Sequence, residues 1–305
     1  RRSYDLCKYI HEHTDIRVIL TGEIDVSVGS VLGISAAVAA TSLRDGGSLA
    51  GAILMSLGTG ALFGLINGLG VAVLRIPSLI FTLGTYGVAR GAVYVYTGGA
   101  WVENLPSWFT ASSQMLVAGS LTWFYLLVIV LVIGVQVLLS HTRRGRNFAA
   151  VGDNYNGAQL VGINPVQTKI WAFVLSGVFA ALAGLLFTAR IGFITPMSGN
   201  SYEMKAIAAC VLGGISLSGG LGTLIGAAIG AVIMTSITRI LVFMGLSSNY
   251  DNTITGIILI VIVVVNTVIQ NRAIIKSHRD ISLKRIAPPP PPAAASADGA
   301  GEVHS

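Results

Sequence analysis

Long apolar stretches separated by brief polar punctuation dominate the chain. Residues 26–43, 49–74, 117–139, 170–189, 206–238 and 252–271 contain no Asp, Glu, Lys or Arg. A helix needs about 20 apolar residues to cross the hydrocarbon core of a bilayer. Read as spans, the pattern gives 24–43, 49–74, 77–97, 115–140, 169–189, a broken 205–218, 221–243 and 253–271, or about eight crossings. This predicts an all-α, polytopic helical membrane protein. Composition agrees: 53% of the 305 residues are hydrophobic and 10% are charged, against roughly 25% charged in soluble domains.

The apolar runs carry their own internal pattern. Gly60, Gly64 and Gly68 recur every fourth residue, as do Gly222, Gly226 and Gly230. On a helix this spacing lines one face with small residues and lets a second backbone approach, although glycine is frequent in such helices in any case. "VLGGISLSGGLGTLIG", residues 211–226, is different, because paired glycines and serines cut a run too long for one pass. Irregular backbone at membrane depth persists only where protein buries it or a watery cavity receives it. A broken helix or re-entrant turn is therefore expected near 213–222. Asn67, Gln136 and Asn266 are lone polar groups within spans, each an interhelical hydrogen bond or a solute contact.

Charge sets the orientation. Alternating the spans puts Arg143, Arg144 and Arg146 on one face with Arg75, the N-terminal Arg1, Arg2, Lys8 and Arg17, and the C-terminal Arg272, Lys276, Arg279, Lys284 and Arg285. The other face holds Arg44, Arg190, Lys205 and Arg239, and its loop 98–114 has no Lys or Arg but carries Trp101 and Trp108. The positive-inside rule makes the first face, and with it the C-terminus, cytoplasmic. The net charge of +6 thus needs no nucleic acid to explain it. Residues 1–20 form a polar segment without the apolar core of a cleavable signal peptide, 21–272 the transmembrane domain, and 273–305 a cytoplasmic Pro/Ala-rich tail expected to be disordered.

Candidate chemistry is sparse. There is no Gly-Lys pair, hence no P-loop, and "HEH" at 11–13 lacks zinc-ligand spacing. Cys7 and Cys210 suggest no disulfide framework. No catalytic set and no metal site is expected. Ionisable groups within the spans are few, with Glu203 and Lys205 read at a span end and Glu23 and Asp25 at a span start. An energy source outside the chain is the economical reading.

One polar segment interrupts the apolar pattern at mid-chain: "TRRGRNFAAVGDNYNGAQLVGINP", 142–165. Its piece 156–161 is compatible with a short helix, capped by Asp153 or Asn154 and followed by Pro165. It reads either as a docking element presenting Tyr155, Leu160 and Val161, or as a solvated connection.

Taken together, "TGEIDVSVGSVLGISAAVAA" (21–40), "GLINGLGVAVLRIPSLIFTLGT" (64–85), "RRGRNFAAVGDNYNGAQLVGIN" (143–164), "FVLSGVFAALAGLLFTARIG" (173–192) and "YEMKAIAACVLGGISLSGGLGTLIGAAIGA" (202–231) resemble the permease subunits of bacterial ABC importers for ribose, xylose, arabinose and rhamnose, within the branched-chain amino acid and sugar permease family. The resemblance implies import of a monosaccharide across the inner membrane by a permease dimer, formed with a second copy or a paralogue. A periplasmic sugar-binding protein would deliver substrate, and a separate ABC ATPase subunit would bind ATP and Mg, leaving this chain without a cofactor. It also implies that loop 142–168 carries the coupling helix, with Asp153, Asn154, Tyr155, Gly157, Ala158, Val161, Gly162 and Ile163 facing the ATPase. Asn67, Gly213, Gly214, Ser216, Gly219 and Gly220 become candidates for the translocation pathway, and Asp25, Ser27 and Gly29 belong to the motif "TGGIDLSVG". Family members carry two further apolar segments before that motif, about ten spans in all; here 1–20 stands in place of one of them, Glu23 replaces the motif's second glycine, and Lys205 stands where an acidic or apolar residue is usual. Alternatives are a permease for a nucleoside or for autoinducer-2, an ATP-independent channel or carrier, and a degenerate partner in a heterodimer.

Overall fold

A computed structural model describes residues 16–118, 121–245, 250, 252–265 and 267–268. The chain falls into two units, Arg1–Val263 and Val264–Ser305. Residues 1–15, Asn266 and the expected tail at 273–305 lie outside the described residues.

The described elements are α1 (Ile16–Leu20), α2 (Val28–Arg44), α3 (Leu49–Ala72), α4 (Ser78–Thr97), α5 (Ser107–Ser112), a small antiparallel pair β1 (Leu116–Ala118) and β2 (Leu121–Thr122), α6 (Trp123–His141), α7 (Arg143–Asp153), α8 (Tyr155–Leu160), α9 (Pro165–Ile191), α10 (Tyr202–Leu212) and α11 (Leu224–Phe243). A further apolar helix covers Asn252–Val265. Among the described residues α3, α9 and α11 are long and apolar enough to cross a membrane, or four segments if α6 and α7 form one bent span. The expected number was about eight; Val28–Arg44 and Asn252–Val265 are apolar but shorter, and two further segments differ for local reasons. The segment read as 205–218 stops at Leu212 because Gly213 to Thr223 is a turn. The segment read as 115–140 opens as a hairpin and becomes helical at Trp123.

The polar segment expected at 1–20 ends in a fully buried helical turn. Ile16, Val18 and Ile19 are inaccessible and share a cluster with Phe148, Phe173 and Cys210. Arg17 is buried as well, its guanidinium 4.6 Å from the centroid of the Phe179 ring.

Small residues set the packing. The glycine row on α3 meets α9 directly: a methyl group on Gly60 would lie 2.7 Å from Ala181 Cβ and overlap the Gly177 carbonyl, one on Gly64 would lie 2.8 Å from Val174 Cα, and one on Gly68 2.9 Å from Ile170 Cα. Gly184 of α9 brings α2 as close, since its added methyl would stand 2.6 Å from the Leu32 carbonyl. In lipid, where burial of apolar groups supplies no drive, such close approach supplies dispersion contact. Of the second row, Gly226 against Gly213 and Gly230 against the Ala209 carbonyl hold α10 on α11, whereas Gly222, at φ 147°, lies in the turn before α11 and meets Ile215. α9 is started by the Asn164 side chain, which accepts from Gln167 N at 3.1 Å, with Pro165 following. It ends at Gly192, whose φ of 86° suits a left-handed cap.

Candidate functional site: a docking loop against two helix breaks

At Thr142 the chain turns by 70° from α6 into α7. The Thr142 hydroxyl donates to the Leu138 carbonyl at 2.6 Å and accepts from Gly145 N at 3.0 Å, ending one helix and capping the next. One residue separates α7 from α8, and that residue, Asn154, caps α8 by accepting from Gly157 N at 2.8 Å. Asn154 rather than Asp153 is therefore the cap. Ile163 N closes the far end on the Ala158 carbonyl at 3.0 Å, past Gly162 at φ 84°. Ala158 is buried, whereas Leu160 and Val161 are 88% and 75% exposed. A capped, compact element thus presents a small apolar tip.

Its other end touches two breaks in the helical path. In the first, α1 ends at Leu20, Gly22 adopts φ 78°, and α2 resumes at Val28. The backbone groups freed there find side chains on α4: Ile24 N donates to Ser78 Oγ at 3.2 Å and Val26 N to Thr82 Oγ1 at 3.1 Å. This is how irregular backbone survives where water is scarce. In the second break, between α10 and α11, Ile215 N donates to the Cys210 carbonyl, Ser216 N to the Leu221 carbonyl at 2.9 Å and Gly219 N to the Ser216 carbonyl.

The two breaks and the end of α7 meet backbone to backbone. Gly220 N donates to the Leu20 carbonyl at 3.0 Å. A methyl on Gly219 would stand 2.7 Å from Gly22 N and 3.0 Å from Gly152 Cα; on Gly220, 2.8 Å from Asp153 Cα. On Gly152 it would overlap the Leu20 carbonyl and lie 2.7 Å from Gly220 N. Of the expected residues, Asp153, Gly219 and Gly220 are brought together here. Gly152 and Leu20 were missed, and only the breaks left a trace in the sequence: Ile24-Asp25-Val26-Ser27 is echoed by Ile215-Ser216-Leu217-Ser218, and Val31-Leu32-Gly33 by Leu224-Ile225-Gly226. Similar segments at the two breaks mark two related turns.

A second tie joins the first break to the loop. Lys169 Nζ donates to Glu23 Oε1 and stands 5.3 Å from the centroid of the Tyr155 ring. Glu23, the departure from the family pattern, is thus paired, and Tyr155, Lys169, Arg75 and Pro77 line a cavity of about 410 Å³ beside it.

Beyond Glu23 the motif residues enter a closed polar network. Asp25 Oδ1 accepts from Ser27 N at 3.0 Å, Ser27 Oγ at 2.7 Å and Asn67 Nδ2 at 3.4 Å, and its Oδ2 from Ser176 Oγ at 3.3 Å. Asn67 also donates to Ser27 Oγ at 2.7 Å and accepts from Thr85 Oγ1 at 2.7 Å. At 1% exposure, Asn67 ties α3 to α4 and the first break. Gly213 packs on α11, Ser216 shapes the second turn, and Gly214 has open space around it.

Glu203 and Lys205, read from the sequence at a span end, are 6% and 9% exposed. The residues before α10 fold back onto α2, where Gly33 and Gly29 make room: a methyl on Gly33 would stand 2.7 Å from the Ser198 carbonyl, and one on Gly29 would overlap the Glu203 carboxylate. Arg90 of α4 holds this return by donating from Nη1 to the carbonyls of Pro196 (2.9 Å) and Ser198 (2.8 Å). Tyr86 adds a bond to Asn200 Oδ1 at 2.8 Å. Among the described residues, Glu203 Oε2 and Arg90 Nε and Nη2 are buried without hydrogen-bond partners. Charged groups so placed are the second region the linear reading underestimated.

Residues 15–263 match the family described as branched-chain amino acid transport system / permease component. The chain belongs to this permease family. It is 42% identical over 271 residues, 89% of its length and 78% of the relative's, to the autoinducer 2 import system permease protein LsrC of Enterobacter sp. (strain 638). It is 44% identical over 247 residues, 81% of its length and 70% of the relative's, to the LsrC protein of Yersinia pseudotuberculosis serotype O:1b (strain IP 31758). No solved structure matches. As a member of the permease family it is a membrane-embedded ABC importer component, and both helix breaks and the α7–α8 loop lie within the matched region.

Proposed function

We propose that the chain is the transmembrane permease subunit through which an ABC importer moves autoinducer-2, or a furanosyl solute of that kind, with ATP and Mg bound by a separate subunit. The observation that carries the docking role is the α7–α8 element: its apolar tip is exposed, and its opposite end contacts both helix breaks through backbone. A partner gripping Leu160 and Val161 would therefore pull on both breaks at once. The choice of solute rests on identities of 42% and 44% to permeases named for autoinducer 2, which favours that alternative over a metabolic monosaccharide such as ribose. The remaining partners follow from the family: a periplasmic binding protein and a second permease copy or paralogue.

In this reading the path crosses the inner membrane about eight times, with the docking loop and the C-terminus in the cytosol. The candidates for the pathway are Asn67 and the turn of Gly213, Gly214, Ser216, Gly219 and Gly220 at the second break. Recognition is left to the binding protein, which accords with the scarcity of exposed polar groups within the spans.

Two measurements test the proposal. Replacing residues 153–162 by a Gly/Ser linker should abolish capture of the cognate ATPase from membranes, and undiminished capture would refute the docking role. Cells carrying the full importer should accumulate labelled autoinducer-2 in preference to ribose; accumulation of ribose alone would assign the permease to a monosaccharide.

A further inference from the structure

Where α6 bends into α7, a cavity of about 730 Å³ opens against the start of α9. Its lining has two characters. Arg144, Asn147 and Gln167 supply its polar rim, Leu138, Trp171 and Leu175 its apolar wall on the two membrane helices, and Gly162 and Ile163 of the 142–168 loop also line it. Among the described residues no Asp or Glu lines it. The Arg144 side chain makes neither an ion pair nor a hydrogen bond among the described residues, and its neighbours Arg143 and Arg146 add to the positive field. Trp171 is a half-exposed indole two turns into α9, the depth at which tryptophan marks the membrane interface.

A free guanidinium at headgroup level above an apolar wall between helices fits one class of ligand. A soluble anion would use the rim and leave the wall bare, whereas a neutral lipid would use the wall and leave Arg144 uncompensated. We propose that this cavity binds an anionic phospholipid of the bilayer, its phosphate held by Arg144 with Asn147 and Gln167 and an acyl chain lying against Leu138, Trp171 and Leu175. Basic pockets between membrane helices select such headgroups because the charge interaction is poorly screened there. The site goes beyond the transport reading and depends on it only in placing α7 at the membrane surface. A bound lipid would brace the bend from which the docking loop hangs.

The test uses the full chain purified in neutral detergent, with phosphatidylglycerol or phosphatidylcholine added at equal concentration and retained lipid counted by native mass spectrometry. Phosphatidylglycerol should be retained preferentially, Arg144→Gln should lower its retention about fivefold without changing that of phosphatidylcholine, and Arg144→Lys should preserve most of it. Arg75→Gln, which removes an exposed charge outside the cavity, should leave the preference intact. The proposal is overturned if Arg144→Gln keeps the preference, if Arg75→Gln lowers it equally, or if millimolar glycerol phosphate displaces the lipid. Loss of ATPase capture in Arg144→Gln with lipid retention unchanged would likewise overturn it and give the cavity to a protein partner. Failure of the lipid assay with ATPase capture intact leaves the docking role standing, so the two are read separately.

Discussion

Gly152 at the end of α7 lies directly on the carbonyl of Leu20, the last residue of α1, with no room between them for a methyl group. The residue that leads α7 into α8 is therefore in backbone contact with the first helix break, and Gly220 N, bonded to the same carbonyl, brings in the second.

Gly152→Ala should uncouple the importer without detaching its partner. The added methyl must move the loop or both breaks, an overpacking cost of about 1–3 kcal/mol, while the exposed tip at Leu160 and Val161 is untouched. The expected outcome is ATPase capture near wild type with solute uptake reduced at least tenfold. Wild-type uptake would show that the contact transmits nothing.

Asn67→Ala strips partners from Ser27 and Thr85 and one donor from Asp25 inside a sealed network. Ser27 and Thr85 keep other partners, so the cost is that of the lost hydrogen bonds, about 0.5–1.5 kcal/mol each, and thermal unfolding in detergent should shift down by a few degrees. Asn67→Asp should be worse, since it sets a second carboxylate 3.4 Å from Asp25 Oδ1 with little solvent to screen it. Equal midpoints for the two variants would contradict the electrostatic part.

Glu23 and Lys169 invite a double-mutant cycle. Both side chains are less than one-fifth exposed, so Glu23→Gln and Lys169→Met should each destabilise the protein and the pair should couple by roughly 0.5–3 kcal/mol. Purely additive effects would mean that the ion pair does not tie the first break to α9 and Tyr155.

Glycines of one helix should differ in tolerance. Gly58 has open space where a methyl would go, whereas Gly60, two residues on, meets the Gly177 carbonyl and Ala181 Cβ. Gly58→Ala should be neutral or stabilise by up to about 1 kcal/mol. Gly60→Ala and Gly177→Ala should lower the yield of folded protein on size-exclusion chromatography. Equal behaviour of Gly58→Ala and Gly60→Ala would argue against the α3–α9 crossing.

The glycine spacing at 60, 64 and 68 was legible as a packing face because helical periodicity alone puts those residues in line, and the α3–α9 crossing uses all three. The 213–222 cluster was legible as an interruption for an equally local reason: paired glycines and serines cannot sustain a helix. The capped helix at 155–160 was also visible in its asparagine and its polar composition. Residues 16–20 were harder to place, because Arg17 and the polar run before it lower the local hydropathy, and only the surrounding apolar wall shows the turn to be interior. The burial of Glu203 and Lys205 at their span end was not legible for a related reason: a sequence shows where a charge sits along the chain but not which way the chain has folded back.

By itself, then, the sequence determined the helical class of the protein, the interruption at 213–222 and the polar loop at 142–165, since these follow from the hydropathy, helix propensity and turn chemistry of neighbouring residues. The tertiary structure alone decided that Gly152, Leu20 and Gly220 share one junction, that Glu23 pairs with Lys169, and that Asn67 closes a network on Asp25. Those contacts join segments up to two hundred residues apart. They depend on the distance of closest approach between backbones, a quantity that no local pattern encodes.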